Sequence, residues 1–186
     1  MKIYLLDKSR EMVSAWKKYF ETEDVEIVCE DFMLFMELYD VECVVSPANA
    51  YGLMDGGFDF AITNYFGQEL QKNVQKIICE RYYGEQPVGT SIMVGIPNTN
   101  KKLIHTPTMR FPSKILDPKV VYQCMRTTLM VAFKNNIKSI VIPAFGGRCG
   151  CLEADMVARM MYMAYKQLQN PPKEITWDYA FSQNNI

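Results

Sequence analysis

Apolar runs and amphipathic stretches alternate along the chain. Runs with the length and composition of β-strands lie at 2–6, 25–29, 44–46, 90–96, 103–106 and 139–142. Several stretches between them place apolar residues at helical spacing, beginning with a helix that Ser9 is positioned to cap. At 186 residues, the chain is long enough for one α/β domain with its own core, and no linker interrupts it. We therefore predict a single domain over residues 1–186.

Further helices are predicted from the same spacing and from the residues at their ends. They cover 32–38, 59–66 and 68–83, then a helix with Asp117 as cap and Pro118 as first residue, and finally 153–168. Four Met side chains of the last helix are expected to fill the core rather than form a binding surface, namely Met156, Met160, Met161 and Met163. The aromatic-rich segment 175–181 predicts a strand added to the sheet.

The first candidate for chemistry is the segment VVSPANAYGLMDGGFDFAI at 44–62. A strand enters a loop of small residues, and a helical pattern starts at Phe58, just after Gly56 and Gly57. Two glycines before a helix let a ligand approach the backbone, and the free N–H groups of the first helical turn favour an anion such as phosphate. Such glycines also occur in loops that only turn the chain, so this segment leaves both interpretations open.

A second loop repeats this arrangement in SIVIPAFGGRCGCL at 139–152. An apolar strand again ends in Pro, glycines follow at 146, 147 and 150, and a helical pattern comes next. In a parallel sheet, the two loops lie at the same edge, where the strands end and ligands bind. Two backbone cradles at one edge suggest a ligand with two phosphates.

Together these segments resemble the macrodomain family, the ADP-ribose-binding α/β/α module. In that family the strand runs into Ala-Asn, and an acidic residue comes ten positions after the Asn, as Asp59 does after Asn49. The stretch PVGTSIMVGIPNTNKKLIHTP and the IPAFGG of the second loop extend the similarity over nearly the whole chain. More narrowly, SPANAYGLMDGG and TPTMRFP resemble a bacterial and phage-associated branch. The resemblance implies a three-layer α/β/α sandwich with a central mixed, largely parallel sheet.

The resemblance also implies the site residues. Asn49 would orient the distal ribose, and Asp59 would act as a base or ribose anchor for an attacking water. Asp31 would accept a hydrogen bond from the adenine amine, although the same carboxylate equally suits a helix cap. The other ligand-binding residues expected are Phe32, Ala48, Gly56, Gly57, Phe58, Gly146, Gly147, Arg148, Cys149 and Gly150. An aromatic near the C-terminus, Tyr179 or Phe181, would either stack on the adenine or simply pack.

Two departures from the family pattern change the charge of the predicted site. Family hydrolases usually have four glycines where this chain has MDGG, which places the carboxylate of Asp55 near a predicted phosphate. In the second loop, Gly146-Gly147-Arg148 stands where Ser-Thr-Gly is usual, so hydroxyls are replaced and a cation is added. Arg148 is positioned to offset the charge of Asp55. Neither change removes the pair Asn49 and Asp59.

Other polar residues are expected to have structural roles rather than catalytic or ligand-binding ones. His105 ends a strand, and no cue selects a nucleophile to accompany it. Arg110 could reach a phosphate, but an exposed or salt-bridged Arg is the simpler interpretation. Cys149 and Cys151 form a poor zinc signature, and the six cysteines, several on apolar faces, are expected to be mainly buried free thiols. We predict no metal and no cofactor.

Composition and charge narrow the class of protein. The chain is 49% hydrophobic and 22% charged with a net charge of −1 and no basic run, which argues against nonspecific nucleic-acid or membrane binding. The N-terminal apolar run is too short for a signal peptide, so we expect a cytoplasmic protein. We predict binding of ADP-ribose or ADP-ribosylated protein, with hydrolysis of an ADP-ribose ester or of ADP-ribose 1″-phosphate. The alternatives are a non-catalytic reader and a phage-related interaction protein.

Overall fold

The computed structural model describes residues 1–183. In that range a single sheet contains the strands β1 (Lys2–Leu6), β2 (Val25–Val28), β3 (Cys43–Ser46), β4 (Ile92–Gly95), β5 (Lys102–His105) and β6 (Ser139–Pro143). The helices are α1 (Arg10–Phe20), α2 (Phe32–Leu38), α3 (Gly57–Phe66), α4 (Glu69–Tyr82), α5 (Lys119–Lys134), α6 (Ala154–Gln169) and α7 (Trp177–Ser182). None of these helices is long and apolar enough to span a bilayer.

The strand order in the sheet is β2-β1-β6-β3-β5-β4. Every neighbouring pair is parallel except β4 with β5, which is antiparallel. The predicted mixed, largely parallel sheet is therefore confirmed. Because β1, β2, β3, β5 and β6 run in the same direction, the loops that follow them emerge at one edge.

Helices cover both faces of the sheet. Alternate residues of a strand point to opposite faces, so Ile3 and Leu5 pack with α1, α5 and α6, whereas Tyr4 and Leu6 pack with α2, α3 and α4. The predicted three-layer α/β/α sandwich is confirmed by these two cores. The Met-rich face of α6 belongs to the first core: Met160 and Met161 are buried, and Met156 and Met163 are partly buried against it.

Three predictions from the sequence are wrong in part or in whole. The segment after α6 forms helix α7 rather than a strand, because Thr176 caps it and accepts a hydrogen bond from the Tyr179 N–H at 3.2 Å. Helix α5 begins one residue later than predicted, with Pro118 as its cap, although Asp117 still accepts from the Lys119 N–H at 3.0 Å. All six cysteines are free, but only two are buried, Cys43 and Cys124.

Candidate functional site

A cavity of about 250 Å³ opens at the edge of the sheet where the parallel strands end. Ligands of open α/β sheets bind at this edge, where the order of the strands reverses. Each of the five parallel strands contributes lining residues from the loop after it, including Asp7 and Lys8 after β1, Glu30 and Asp31 after β2, Pro47 to Asn49 after β3, Thr108 and Met109 after β5, and Ala144 after β6.

The start of α3 forms one wall of this cavity. Gly56 is the helix cap and has no side chain to satisfy the N–H groups of the first turn. Gly57 has φ of +58°, a left-handed conformation, and no heavy atom lies within 4 Å of the position that a Cβ would occupy. The backbone is thus approachable, and its unsatisfied N–H groups and the helix dipole favour an anion.

The second loop packs tightly on itself before α6. The Cys151 N–H donates to the Arg148 carbonyl at 2.9 Å, and the Ile115 N–H donates to the Gly150 carbonyl at 3.0 Å. A Cβ at residue 150 would collide with the backbone of Gly146. Gly147, Arg148 and Cys149 line the cavity together with Gly146, whereas Gly150 does not. The structure gives Gly150 a packing role, and its predicted contact with the ligand stays a prediction.

Asp59 lies in the first turn of α3 and lines the cavity while remaining 7% exposed. Its Oδ1 accepts a hydrogen bond of 2.6 Å from the hydroxyl of Ser46, the last residue of β3. Burial raises the pKa of the Asp59 carboxyl to about 7, because the low-dielectric surroundings disfavour its charged form. The Ser46 hydrogen bond opposes this shift, and the nearby charge of Asp55 adds to it.

Asn49 is largely committed to its own loop. Its Oδ1 accepts from the N–H groups of Tyr51 and Leu53 at 3.1 and 3.3 Å, and its Nδ2 donates to the Leu53 carbonyl at 2.7 Å. An Asn amide has two N–H donors, so one of them is available to a ligand in the cavity. The side chain is held in place before any ligand arrives.

At the β1–β2 end of the cavity, Asp31 is a helix cap and also a lining residue, and its contact with an adenine stays a prediction. Its Oδ1 accepts from the Met33 N–H at 2.9 Å, which caps α2, and the residue also lines the cavity. Phe32 is buried, and its ring meets that of Phe58 edge to face with 5.1 Å between centroids. These two rings, both of which line the cavity, join the loop after β2 to the start of α3.

The cavity contains more acidic than basic side chains. Carboxylates come from Asp7, Glu30, Asp31, Asp55 and Asp59, and cations come from Lys8 and Arg148. An anionic ligand therefore depends on backbone N–H groups as well as on these two cations. Asp55 lines the cavity, and its position near a phosphate stays a prediction.

Two residues for which the sequence predicts a structural role, Arg110 and His105, do not line the cavity. Arg110 forms a bidentate ion pair with Glu85, with N–O distances of 2.7 and 3.0 Å, and this pair raises the pKa of the guanidinium. Arg110 does not line the cavity. His105 is fully buried, and its Nδ1 lies 2.8 Å from Gln86 Oε1. Burial lowers the pKa of His105 to about 3, so its ring is neutral at physiological pH.

The C-terminal aromatics also lie outside the cavity. Tyr179 and Phe181 belong to α7, and the Tyr179 hydroxyl accepts from Gln167 Nε2 of α6 at 3.3 Å. The prediction that one of them stacks on the ligand is not supported by this position. All the remaining predicted site residues except Gly150 line the cavity.

The sequence interpretation missed several lining residues. Asp7 and Lys8 directly follow β1, and Thr108 and Met109 follow β5. The rule that parallel strands end at a common edge identifies this position for every strand, so it could have pointed to them. Ser46, which contacts Asp59 without lining the cavity, was missed because a single Ser in an apolar strand gives no signal of what it will contact.

Comparison with known proteins identifies the family of this chain. The family model described as the Macro domain matches residues 45–161, which is more than half of the chain. The chain belongs to the macrodomain family. An uncharacterized protein of Aquifex aeolicus is 31% identical over 66% of this chain and 71% of its own length. An uncharacterized protein of Aeropyrum pernix is 28% identical over 66% of this macrodomain and 62% of its own length.

Solved structures show the same fold. The macrodomain of Mycobacterium tuberculosis DarG superimposes with a TM-score of 0.60 at 23% identity, over 70% of this chain and 84% of that one. The Oceanobacillus iheyensis macrodomain with ADP superimposes with a TM-score of 0.60 at 23% identity, over 68% of each chain. Thermosipho africanus DarTG in complex with ADP-ribose superimposes with a TM-score of 0.60 at 16% identity, over 96% of this chain and 55% of that one.

Proposed function

We propose that this macrodomain binds ADP-ribose or a closely related NAD-derived nucleotide in the cavity at the sheet edge. The observation that carries the proposal is the uncapped N-terminus of α3, where Gly56 and Gly57 expose the backbone to the cavity. A pyrophosphate is the ligand group that such a helix start accommodates well. Similar structures support the choice, since one contains ADP and another contains ADP-ribose.

The remaining walls suit the other parts of that ligand. The free Oδ2 of Asp31 is an acceptor for an adenine amine, with the rings of Phe32 and Phe58 beside it. The second loop contributes Arg148 as a cation for phosphate. The free N–H of Asn49 is a donor for a ribose hydroxyl. Of these three assignments, the phosphate site has the most support, the adenine site has less, and the ribose site has the least.

Adding a side chain at Gly57 tests the binding proposal. Gly57→Ala places a Cβ on an exposed part of the cradle, and we expect ADP-ribose to bind at least about tenfold more weakly than to the wild type. Gly67→Ala is the matched control, because Gly67 has φ of +94°, no heavy atom near its missing Cβ, and no part in the cavity. Equal losses of affinity in the two variants would refute the proposed cradle.

A second proposed function is hydrolysis of ADP-ribose from a modified protein, as an ester, or of ADP-ribose 1″-phosphate. The specific observation in its favour is Asp59, a buried carboxyl that lines the cavity and has a pKa of about 7. A base with a pKa near the working pH is the most effective at deprotonating water. Its burial and its hydrogen bond to Ser46 also hold the carboxyl in a fixed position, as a base for a bound substrate requires.

Release of ADP-ribose from an ADP-ribosylated protein separates an enzyme from a reader. We expect Asp59→Ala and Asn49→Ala to abolish turnover while ADP-ribose still binds. Asp155→Asn changes an exposed carboxylate that pairs with Lys18 and does not line the cavity, so it should leave turnover unchanged. A wild-type protein that binds ADP-ribose but releases none from ester-linked or 1″-phosphate substrates is a reader. Absence of any nucleotide binding would instead favour the phage-related interaction protein.

A further inference from the structure

Ser46 connects the central sheet to the acidic residue of the cavity. It is the last residue of β3 and is fully buried, and its hydroxyl donates to Oδ1 of Asp59 on α3 across 2.6 Å. The bond has the length of an O–H···O hydrogen bond, and such a bond is stronger when the accepting carboxyl is ionised. The carboxyl group thus has one oxygen held by the sheet and the other directed elsewhere.

Among the side chains around Asp59, Ser46 is the one that favours its charged form, in addition to the N-terminus of α3. Burial and the charge of Asp55, on the loop before α3, both disfavour the carboxylate. On β5, His105 is the Cα partner of Ser46, but its ring is neutral and adds no charge. The second loop contributes Arg148 to the same cavity, but Arg148 is not among the groups that shift the pKa of Asp59. A hydroxyl that donates to a carboxylate stabilises the ionised state.

We propose that Ser46 is a positioning residue that fixes the orientation of Asp59 and keeps it ionisable at the pH where the site works. The hydroxyl does not touch the ligand, since Ser46 does not line the cavity. It acts through Asp59, and its role in turnover rests on the proposed hydrolytic function. Its effect on the ionisation of Asp59 does not depend on that function.

The first measurement is the titration of the Asp59 side chain by carboxyl ¹³C NMR, in wild-type protein and in Ser46→Ala, without nucleotide. Loss of the donor should raise the pKa of Asp59 by about one to two units, the worth of a hydrogen bond to a charged group. Ser46→Thr retains a hydroxyl, so the pKa of Asp59 in this variant should stay close to its wild-type value. If Ser46→Ala does not fold, Ser46→Cys keeps a similar volume with a weak donor, and the same upward shift is expected.

Thr63→Val is the matched control. Thr63 is also a buried hydroxyl on α3, but it donates to backbone carbonyls, with Met54 at 3.0 Å, and not to the Asp59 carboxylate. The control should leave the titration of Asp59 unchanged. An unchanged pKa in the Ser46 variant, or an equal shift in Thr63→Val, would overturn the proposal.

The pH profile of turnover provides the functional half of the test. Its rising limb should move to higher pH in Ser46→Ala by the same amount as the NMR titration, with kcat affected more than KM. A shift in the titration with no movement of the pH profile would limit Ser46 to a structural role. If the protein proves to be a reader without turnover, the titration still decides whether Ser46 controls Asp59.

Discussion

Asp59→Asn offers a stability test of the environment assigned to the acidic residue. The pKa of this carboxyl rises from 3.8 to about 7 on folding because burial disfavours its charge. A raised pKa stabilises the fold at low pH, and that contribution is lost as the pH rises through about 7. The complete loss corresponds to roughly 4 kcal/mol, of which about 2.5 kcal/mol falls between pH 5 and pH 8. Asn cannot titrate, so the variant does not undergo this loss.

Urea unfolding followed by circular dichroism at several pH values measures the effect. The difference between the variant and the wild type cancels the titration of other groups, including His105. We expect the free energy of unfolding of Asp59→Asn to rise relative to the wild type by about 2.5 kcal/mol between pH 5 and pH 8. Asp155→Asn, an exposed change on the other side of the sheet, should show no such trend. A difference between Asp59→Asn and wild type that stays constant with pH would refute the raised pKa assigned to the buried Asp59 carboxyl.

Three further predictions follow from the loops around the cavity. Asp55→Asn removes a carboxylate near the proposed phosphates, so ADP-ribose should bind about three- to tenfold more tightly by calorimetry at low salt, with a smaller gain at high salt. Gly150→Ala forces a Cβ against Gly146 and should lower the free energy of unfolding by about 1–3 kcal/mol, whereas Gly147→Ala, with its nearest neighbour at 3.7 Å, should cost less. Arg110→Ala should leave ADP-ribose affinity unchanged, because its partner is Glu85 and it does not line the cavity; a marked loss would return Arg110 to the ligand site.

The sheet and the site edge were predictable because their signals are local and regular. The apolar runs that became β1, β3 and β6 are buried on both faces, and such strands are easily recognised. The two glycine loops follow β3 and β6, and the parallel direction of these strands brings the loops together. Most of the predicted site residues consequently lie in one cavity.

The errors occurred where a local feature competed with composition. The aromatic residues of 175–181 favour a strand, but Thr176 caps a turn of helix and the segment lies outside the sheet. The packing role of Gly150 also escaped the sequence, because its contact with the backbone of Gly146 depends on how the second loop folds.

The connection between Ser46 and Asp59 could not be predicted from spacing. They lie 13 positions apart in the sequence, and their contact depends on how α3 docks against the end of β3. The same docking buries the carboxyl, so its raised pKa was equally inaccessible from the sequence. Tertiary packing, rather than any motif, determines the chemistry of this residue.

Isothermal titration of the purified protein with ADP-ribose tests the proposed function most directly, with AMP and NAD as comparison ligands. A site that uses the α3 cradle, Asp31 and Asn49 together should bind ADP-ribose with a micromolar Kd, about −8 kcal/mol. AMP, which lacks the second phosphate and the distal ribose, should bind more weakly. No detectable heat with ADP-ribose, together with no thermal stabilisation of the folded protein, would contradict the proposed nucleotide site.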